Sequence, residues 1–382
     1  MKEPKVYAYY FPNWHVDPLN EKWHGKNWTE WEVVKCAHSR FPGHEQPRVP
    51  LWGYEDEADP EVMAKKIKTA KQYGIDGFIF DTYCFSDADY RLRCLNEGFL
   101  GAKNNEEIEF CVMWCNHDSI YAHPSPRNIF SPTLKSGAVS EEDFVRITDS
   151  FIKNYFWRSN YMRVDGKIYF ILYNPDRMQQ DFGGPKIARR IFDDLRRRVR
   201  DAGLGEMILA CSTAEIKSVQ GKESVNRLIA ELGLDQGVRY WWPVRHADEE
   251  SFEEYALTVK FSDFVRAGIK TFEKDAEFYD IPVNITVVNG LDQSPRTIQS
   301  ETYENLETYP WYPIVTGRNI GDWESALKKA KEFALNPNYR GSFITVTSWN
   351  EWTEGNYLEP DKQFGYQFLE SIRRILKDER RV

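Results

Sequence analysis

The sequence predicts a (β/α)8 barrel, on three observations. Eight short apolar runs recur along the 382 residues, near 5–11, 76–82, 109–115, 167–173, 207–212, 236–242, 282–289 and 342–349. They are apolar throughout instead of alternating, which fits strands buried on both faces, as in a parallel sheet. Helical patterns fall between them, and eight strands alternating with helices in one chain of this length build a closed barrel. The alternative is a doubly wound open sheet. It loses weight because no glycine-rich dinucleotide loop follows the first run.

The elements follow in order. The first run is Val6-Tyr7-Ala8-Tyr9-Tyr10. No leader pattern precedes it, which points to the cytoplasm for a native N-terminus and to export for a trimmed one. Segment 12–58 is too long for an ordinary connection and is rich in Trp, Pro and His, the character of a functional loop over the active-site mouth. Asp59-Pro60 offers an N-cap with proline at the first helical position; Met63, Ile67 and Ala70 form its apolar face and Gly74 ends it. Ser140 with Glu141, Glu142 and Asp143 opens a helix with Phe144, Ile147, Phe151 and Tyr155 inside. Pro185 opens another with Ile187, Ile191 and Leu195 inside, ending near Gly203. Trp323, Leu327 and Ala330 mark the helix before the last strand, and a helix over 363–378 closes the ring. No repeat beyond this unit and no low-complexity linker interrupts it, so residues 1–382 read as a single catalytic domain.

Composition narrows the function. The net charge of −9 and the lack of a basic stripe disfavour nucleic acid. The basic run Arg196-Arg197-Arg198 reads as a solvated helix face. Six cysteines include no CxxC pair, so neither a zinc ribbon nor a redox motif is indicated, and Cys111 and Cys115 read as buried thiols. No apolar run reaches about 18 residues, so no membrane span is expected. The aromatic share is 15%, mostly Trp and Tyr, as in a large core or a cleft where rings stack on sugars.

In this fold, sites form at the C-terminal ends of the strands. Strand one delivers Asn13, Trp14 and His15, strand two Asp81 and Tyr83, strand three Trp114 and Asn116, and strand six Tyr240, Trp241 and Trp242. Strand seven runs into Asp292 and Arg296. Strand eight runs into Trp349-Asn350-Glu351-Trp352-Thr353-Glu354-Gly355, with Glu359-Pro360 beyond. Two carboxylates three residues apart at a strand end can face one cavity. Glycoside hydrolysis needs such a pair, one group protonating the leaving oxygen and one acting at the anomeric carbon. The bland reading makes these glutamates caps of the next helix; the aromatic setting favours catalysis by Glu351 and Glu354. Asp81 reads equally as a substrate contact or a structural hydrogen-bonding group. Among Trp241 and Trp242, alternation turns one ring inward. His15, His24, His38 and His44 match no metal spacing, so no metal or cofactor is expected.

The sequence resembles the WbsX-type proteins, which are related to glycoside hydrolase family 99. The resemblance runs through Tyr9-Tyr10-Phe11-Pro12-Asn13-Trp14-His15, Trp28-Thr29-Glu30-Trp31, Phe41 to Arg48, Tyr73 to Phe78, Asp292-Gln293-Ser294-Pro295-Arg296 and Trp349 to Pro360. It implies a (β/α)8 barrel of retaining α-glycosidase ancestry. It adds Tyr10, Glu30, Trp31, Asn350, Trp352 and Glu359 to the substrate-binding residues. Glu351 takes the role of a base working through the substrate's 2-hydroxyl, and Glu354 that of the general acid. The chain departs from the family after strand three, where Trp114-Cys115-Asn116-His117-Asp118 replaces a Trp-Ala-Asn-Glu-type run, so the subsite built there differs. The implied partner is an oligosaccharide or polysaccharide. Two alternatives stand beside hydrolysis: a glycosyltransferase of surface-polysaccharide synthesis, although no phosphate loop or Asp-x-Asp is found, and a non-catalytic carbohydrate-binding barrel.

Overall fold

Strands buried on both faces must find partners on both edges, and here they do so by closing on themselves. A computed structural model describes residues 3–127, 132–243 and 256–377. Eight strands form the barrel: β1 (Val6–Tyr10), β2 (Gly77–Cys84), β3 (Glu109–Trp114), β4 (Lys167–Leu172), β5 (Met207–Ser212), β6 (Gln236–Val238), β7 (Val283–Val288) and β8 (Ile344–Thr347). Each pairs in parallel with the next, and β8 pairs with β1 at Val6↔Ile344, Tyr7↔Thr345 and Ala8↔Val346. All eight expected strands are present. The sixth is shorter than its apolar run: the chain leaves the sheet after Val238, and Tyr240 to Trp242 lie in the loop above it.

The helices start where their caps require. In α1 (Pro60–Gln72) the Asp59 carboxylate accepts the Glu61 N–H at 2.9 Å, with proline next in the chain. In α2 (Glu141–Phe151) Ser140 Oγ accepts the Asp143 N–H at 3.1 Å. The next helices are α3 (Pro185–Asp201), α4 (Lys222–Leu232), α5 (Phe261–Phe278), α6 (Ile320–Ala334) and α7 (Gln367–Ile372), the last continuing as a wider turn over Arg373–Lys377. A single wide turn, Cys94–Phe99, stands between β2 and β3. One expectation fails in α3. Its buried face is Ala188, Ile191, Phe192, Leu195 and Val199, and Ile187, one residue off that stripe, is 40% exposed. Arg196, Arg197 and Arg198 pair with the acids around them, and Cys111 and Cys115 are buried free thiols.

Alternation decides which side chains enter the barrel. From β1, Tyr7 and Tyr9 point in, whereas Tyr10 points out, packing on Phe80 at 4.7 Å and donating to Met63 Sδ in α1. At Gly77 a Cβ would sit 2.6 Å from the Tyr7 ring, so the residue opposite that tyrosine carries no side chain. Asp81 and Tyr83 share the inward face of β2, and Met113 that of β3. Above the strand ends, segment 12–58 contributes two short helices, Pro18–His24 and Trp31–Cys36.

Candidate active site

Beyond β8 the chain makes a tight turn. Asn350–Glu351 pairs antiparallel with Asn356–Tyr357 around a helical turn at Trp352–Glu354. Gly355 closes it at φ +65°, with its Cα facing Asp292 so tightly that a Cβ would lie 2.7 Å from the Asp292 Cβ. Ser348 Oγ accepts the Glu351 N–H at 2.9 Å and donates to the Asn356 carbonyl at 2.7 Å. This turn aims Glu351 and Glu354 at the same space.

Between them sits Arg296, on the turn Ser294–Arg296 after β7. Its Nη2 donates to Glu351 Oε1 at 2.5 Å and to Glu30 Oε1 at 3.0 Å. Its Nη1 donates to Glu354 Oε1 and to the Tyr309 hydroxyl. Its Nε donates to Thr353 Oγ1 at 2.9 Å. One guanidinium thus ties three carboxylates from opposite ends of the chain. His123 Nε2 stands 3.3 Å from Glu30 Oε1.

The three carboxylates differ in electrostatics. Burial pushes Glu351 well above the usual carboxylate range; Arg296 opposes this, and Glu354, Glu30 and Asp81 add to it. Burial also raises Glu354, against Arg296 and hydrogen bonds from Gln293 and Tyr309. For Glu30 burial acts in the same direction but is outweighed by His123 and Arg296, which hold it well below the usual range. Glu30 is therefore the fixed anion beside Arg296. Glu351 and Glu354 are the two carboxyls of the three that burial raises.

They open onto a cavity of about 810 Å³, lined also by Asp81, Tyr83, Arg91, His117, His123, Tyr173, Tyr240, Trp241, Arg296 and Tyr309. Asp81 accepts from the Tyr240 hydroxyl at 3.3 Å on one oxygen and has no protein partner on the other. Burial raises its pKa well above the usual value. His24 lines the rim, and burial, with His123 adjacent, lowers it to about 4. Among the described residues no group of three or more His, Cys, Asp or Glu side chains is arranged to hold a metal ion.

Of the residues expected from the sequence, Glu351, Glu354, Asp81, Tyr83, Tyr240, Trp241, Trp242 and Arg296 meet in this cavity. The others stand behind its wall. Trp114, even-numbered on β3, points outward onto Phe144 of α2, with ring centroids 5.6 Å apart. Trp349 packs on Phe78 at 5.2 Å. Trp14 and Trp31 stack on each other at 4.0 Å, and Trp31 donates to the Glu55 carbonyl at 2.9 Å. These four rings are therefore core and not sugar platforms, and the tryptophans that line the cavity are Trp23, Trp241 and Trp242. Tyr10 faces α1 and His15 is buried without a ring hydrogen bond.

Two asparagines act as stitches. Asn350 exchanges two 2.8 Å hydrogen bonds with the Phe11 backbone, tying β8 to β1. Asn116 does the same with Asn174 at 2.8 and 2.9 Å, tying β3 to β4. Trp352 stacks on Tyr357 and donates to Glu359 at 2.8 Å. Asp292 accepts from Gln46 at 2.8 Å and lies 3.2 Å from His44, while its N–H donates to the Glu354 carbonyl at 2.7 Å. It braces the catalytic turn without reaching the cavity. Arg91, His123 and Tyr309 escaped the sequence reading because they lie in irregular segments, where no strand period points a side chain anywhere.

The barrel and its carboxylate-lined mouth define the class: a (β/α)8 protein with two glutamates facing one cavity from the turn after its last strand. The family model for WbsX glycosyltransferases matches residues 6–372, and the chain belongs to that family. The uncharacterized protein WxcX of Xanthomonas campestris pv. campestris is 25% identical over 373 residues, 97% of this chain. The chain spans about half the length of that relative, 49%. A glycoside hydrolase family 99 endo-α-mannosidase from Bacteroides thetaiotaomicron superposes with a TM-score of 0.60 at 15% identity, over 97% of this chain and 95% of the other. A glycoside hydrolase-like protein superposes at 0.59 and 16% identity, over 99% and 95%. At these identities the structures share the fold.

Proposed function

We propose that this chain hydrolyses a glycosidic bond in a glycan or polysaccharide with net retention, and that residues 1–382 form the catalytic domain, with 12–58 walling the site. The observation that carries this reading is Arg296 tying Glu351 and Glu354 through its two terminal nitrogens. Sharing one guanidinium holds the two carboxylates in one cavity, so that both can act on the same glycosidic bond; retention rests on the resemblance to family 99. Burial raises both, the direction that favours a protonated carboxyl able to act as general acid.

In the reaction Glu354 protonates the departing oxygen. Glu351 takes the proton of the sugar's 2-hydroxyl, whose oxygen attacks the anomeric carbon to give a 1,2-anhydro sugar. Water then opens that ring with both roles reversed. The route through the 2-hydroxyl rests on the resemblance to family 99, whose Bacteroides member is named as an endo-α-mannosidase; α-linked glycans are therefore the first substrates to test. Asp81, Tyr83, Tyr240 and Trp241 bind the sugar.

Wild type and the variants Glu351→Gln and Glu354→Gln should be assayed on a polysaccharide panel, with proton NMR of the first product. Loss of one general acid or base costs on the order of 10²–10⁴ in rate. Glu354→Gln should lose natural substrates and spare activated aryl glycosides; Glu351→Gln should lose both. Product inversion, or wild-type rates in either variant, would sink the mechanism. The family's transferase description supports a second reading. It requires turnover of a nucleotide-sugar donor and no glycan hydrolysis. Binding without cleavage, indifferent to both substitutions, would mark a carbohydrate-binding barrel.

A further inference from the structure

One buried cation in the cavity is left over by the reaction above. Arg91 follows the short pairing of Asp89–Tyr90 with the end of β2. It is 7% exposed and lines the same cavity as the carboxylate pair. Its guanidinium lies over three rings, Phe11, Tyr83 and Tyr90, at 4.9, 4.7 and 4.3 Å. Among the described residues no carboxylate lies within ion-pair distance of it, and its Nε is buried without a hydrogen-bond partner. Every other lining arginine has its acid: Arg296 is tied to Glu30, Glu351 and Glu354.

A buried charge with no ion pair is costly, and the three aromatic faces offset only part of that cost. The backbone adds to the expense. Arg91 sits at φ +62°, a region that residues with a Cβ seldom adopt. Its N–H is fixed there by the Asp17 carboxylate at 2.9 Å. The arrangement holds a planar donor edge toward the cavity at a set angle. The spot is also adjacent to the chemistry. Arg91 and Arg296 flank the same Phe11 ring, at 4.9 and 5.4 Å, so their guanidinium carbons are no more than about 10 Å apart, within one or two sugar units.

We propose that Arg91 is the recognition residue for an anionic group, a carboxylate on the sugar ring next to the scissile bond, so that the substrate is an acidic glycan. This rests on the glycan-binding reading of the cavity and deepens it. The two terminal nitrogens form a bidentate fork of the kind that carboxylates fit, and the ligand adds an ion-pair partner to a guanidinium that Glu30 reaches only through space.

The test is saturation-transfer NMR and titration of the intact chain with sodium D-glucuronate and D-galacturonate, the neutral sugars D-glucose, D-galactose and D-mannose, and D-glucose 6-sulfate. Wild type should prefer the uronates to their neutral counterparts by at least about tenfold. Arg91→Gln should abolish that preference while leaving neutral-sugar binding unchanged. Arg91→Lys, which keeps the charge and loses the fork, should retain only a salt-sensitive remnant. Thermal unfolding of each variant separates loss of recognition from loss of fold, and if Arg91→Gln unfolds, the Arg91→Lys result and the wild-type preference decide. Preference for the sulfate ester over the uronates would overturn the carboxylate assignment. Neutral sugars bound as well as acidic ones would overturn the proposal and leave the glycosidase reading intact. No sugar of either kind bound would overturn both.

Discussion

Arg296 is the residue on which the site turns. It opposes the rise of both Glu351 and Glu354, and so favours the ionised form of each. Arg296→Met removes that restraint. The pKa of each carboxyl then moves further up, and the base, which must be ionised, loses its charge over a wider range. The acidic limb of the kcat/KM profile should shift to higher pH, with kcat down at least ~100-fold; an unchanged limb would show that the carboxylates do not feel the guanidinium. The carboxylate pair, Trp241 and Arg296 were legible because they lie in segments just beyond strand ends, where this fold builds its sites; Asp81 and Tyr83 were legible because they sit on a strand whose period fixes their direction. The aromatic residues were misread for the same reason. Trp114 is one position out of phase with Met113, and a single step along a strand carries a side chain from the mouth to the helix layer.

At the level of the element, the turn after β8 is anchored to α1. Lys66, buried in that helix, bonds both Glu57 and Glu359, and Asn350 donates to Glu57 at 3.0 Å. Two carboxylates share one ammonium, so one of them is short of charge. Burial, with Glu359 adding and Lys66 opposing, raises Glu57 to about 7. A carboxyl whose folded pKa is raised favours the folded state most below its unfolded value of about 4.3, and that contribution is lost as pH rises through about 7. Lys66 is itself raised, by the two carboxylates against the effect of burial, and titrates too high to matter there. The midpoint of thermal unfolding should therefore fall between pH 5 and 8, and Glu57→Gln should flatten that slope. Lys66→Met strands two buried carboxyls and should cost about 3–5 kcal/mol in denaturant unfolding. The strands and main helices of this layer were readable as periods. The salt-bridged anchor was not, because a lysine in the middle of a helix looks like any solvated residue until its helix is docked.

For the molecule as a whole, the seam between β1 and β8 is the join that makes the barrel, and it brings together the two ends of the sequence. Asn350 reinforces it with its pair of bonds to Phe11. A chain cut before residue 342 would leave β1 and β7 with bare edges, which recruit other strands. Such a fragment should sediment as oligomers and expose dye-binding apolar surface, whereas the full chain should not. The fold class itself was legible from eight runs buried on both faces and from the lack of a glycine-rich loop after the first, which together favour closure over an open doubly wound sheet.

The same seam has a consequence for how the protein is made. Synthesis runs from the N-terminal to the C-terminal side, and both carboxylates of the pair follow the strand that shuts the ring. A polypeptide not yet extended past β8 therefore carries much of the cavity wall but neither Glu351 nor Glu354. Under the mechanism proposed above, the acid and the base would arrive together, at about the moment the barrel can hold its shape.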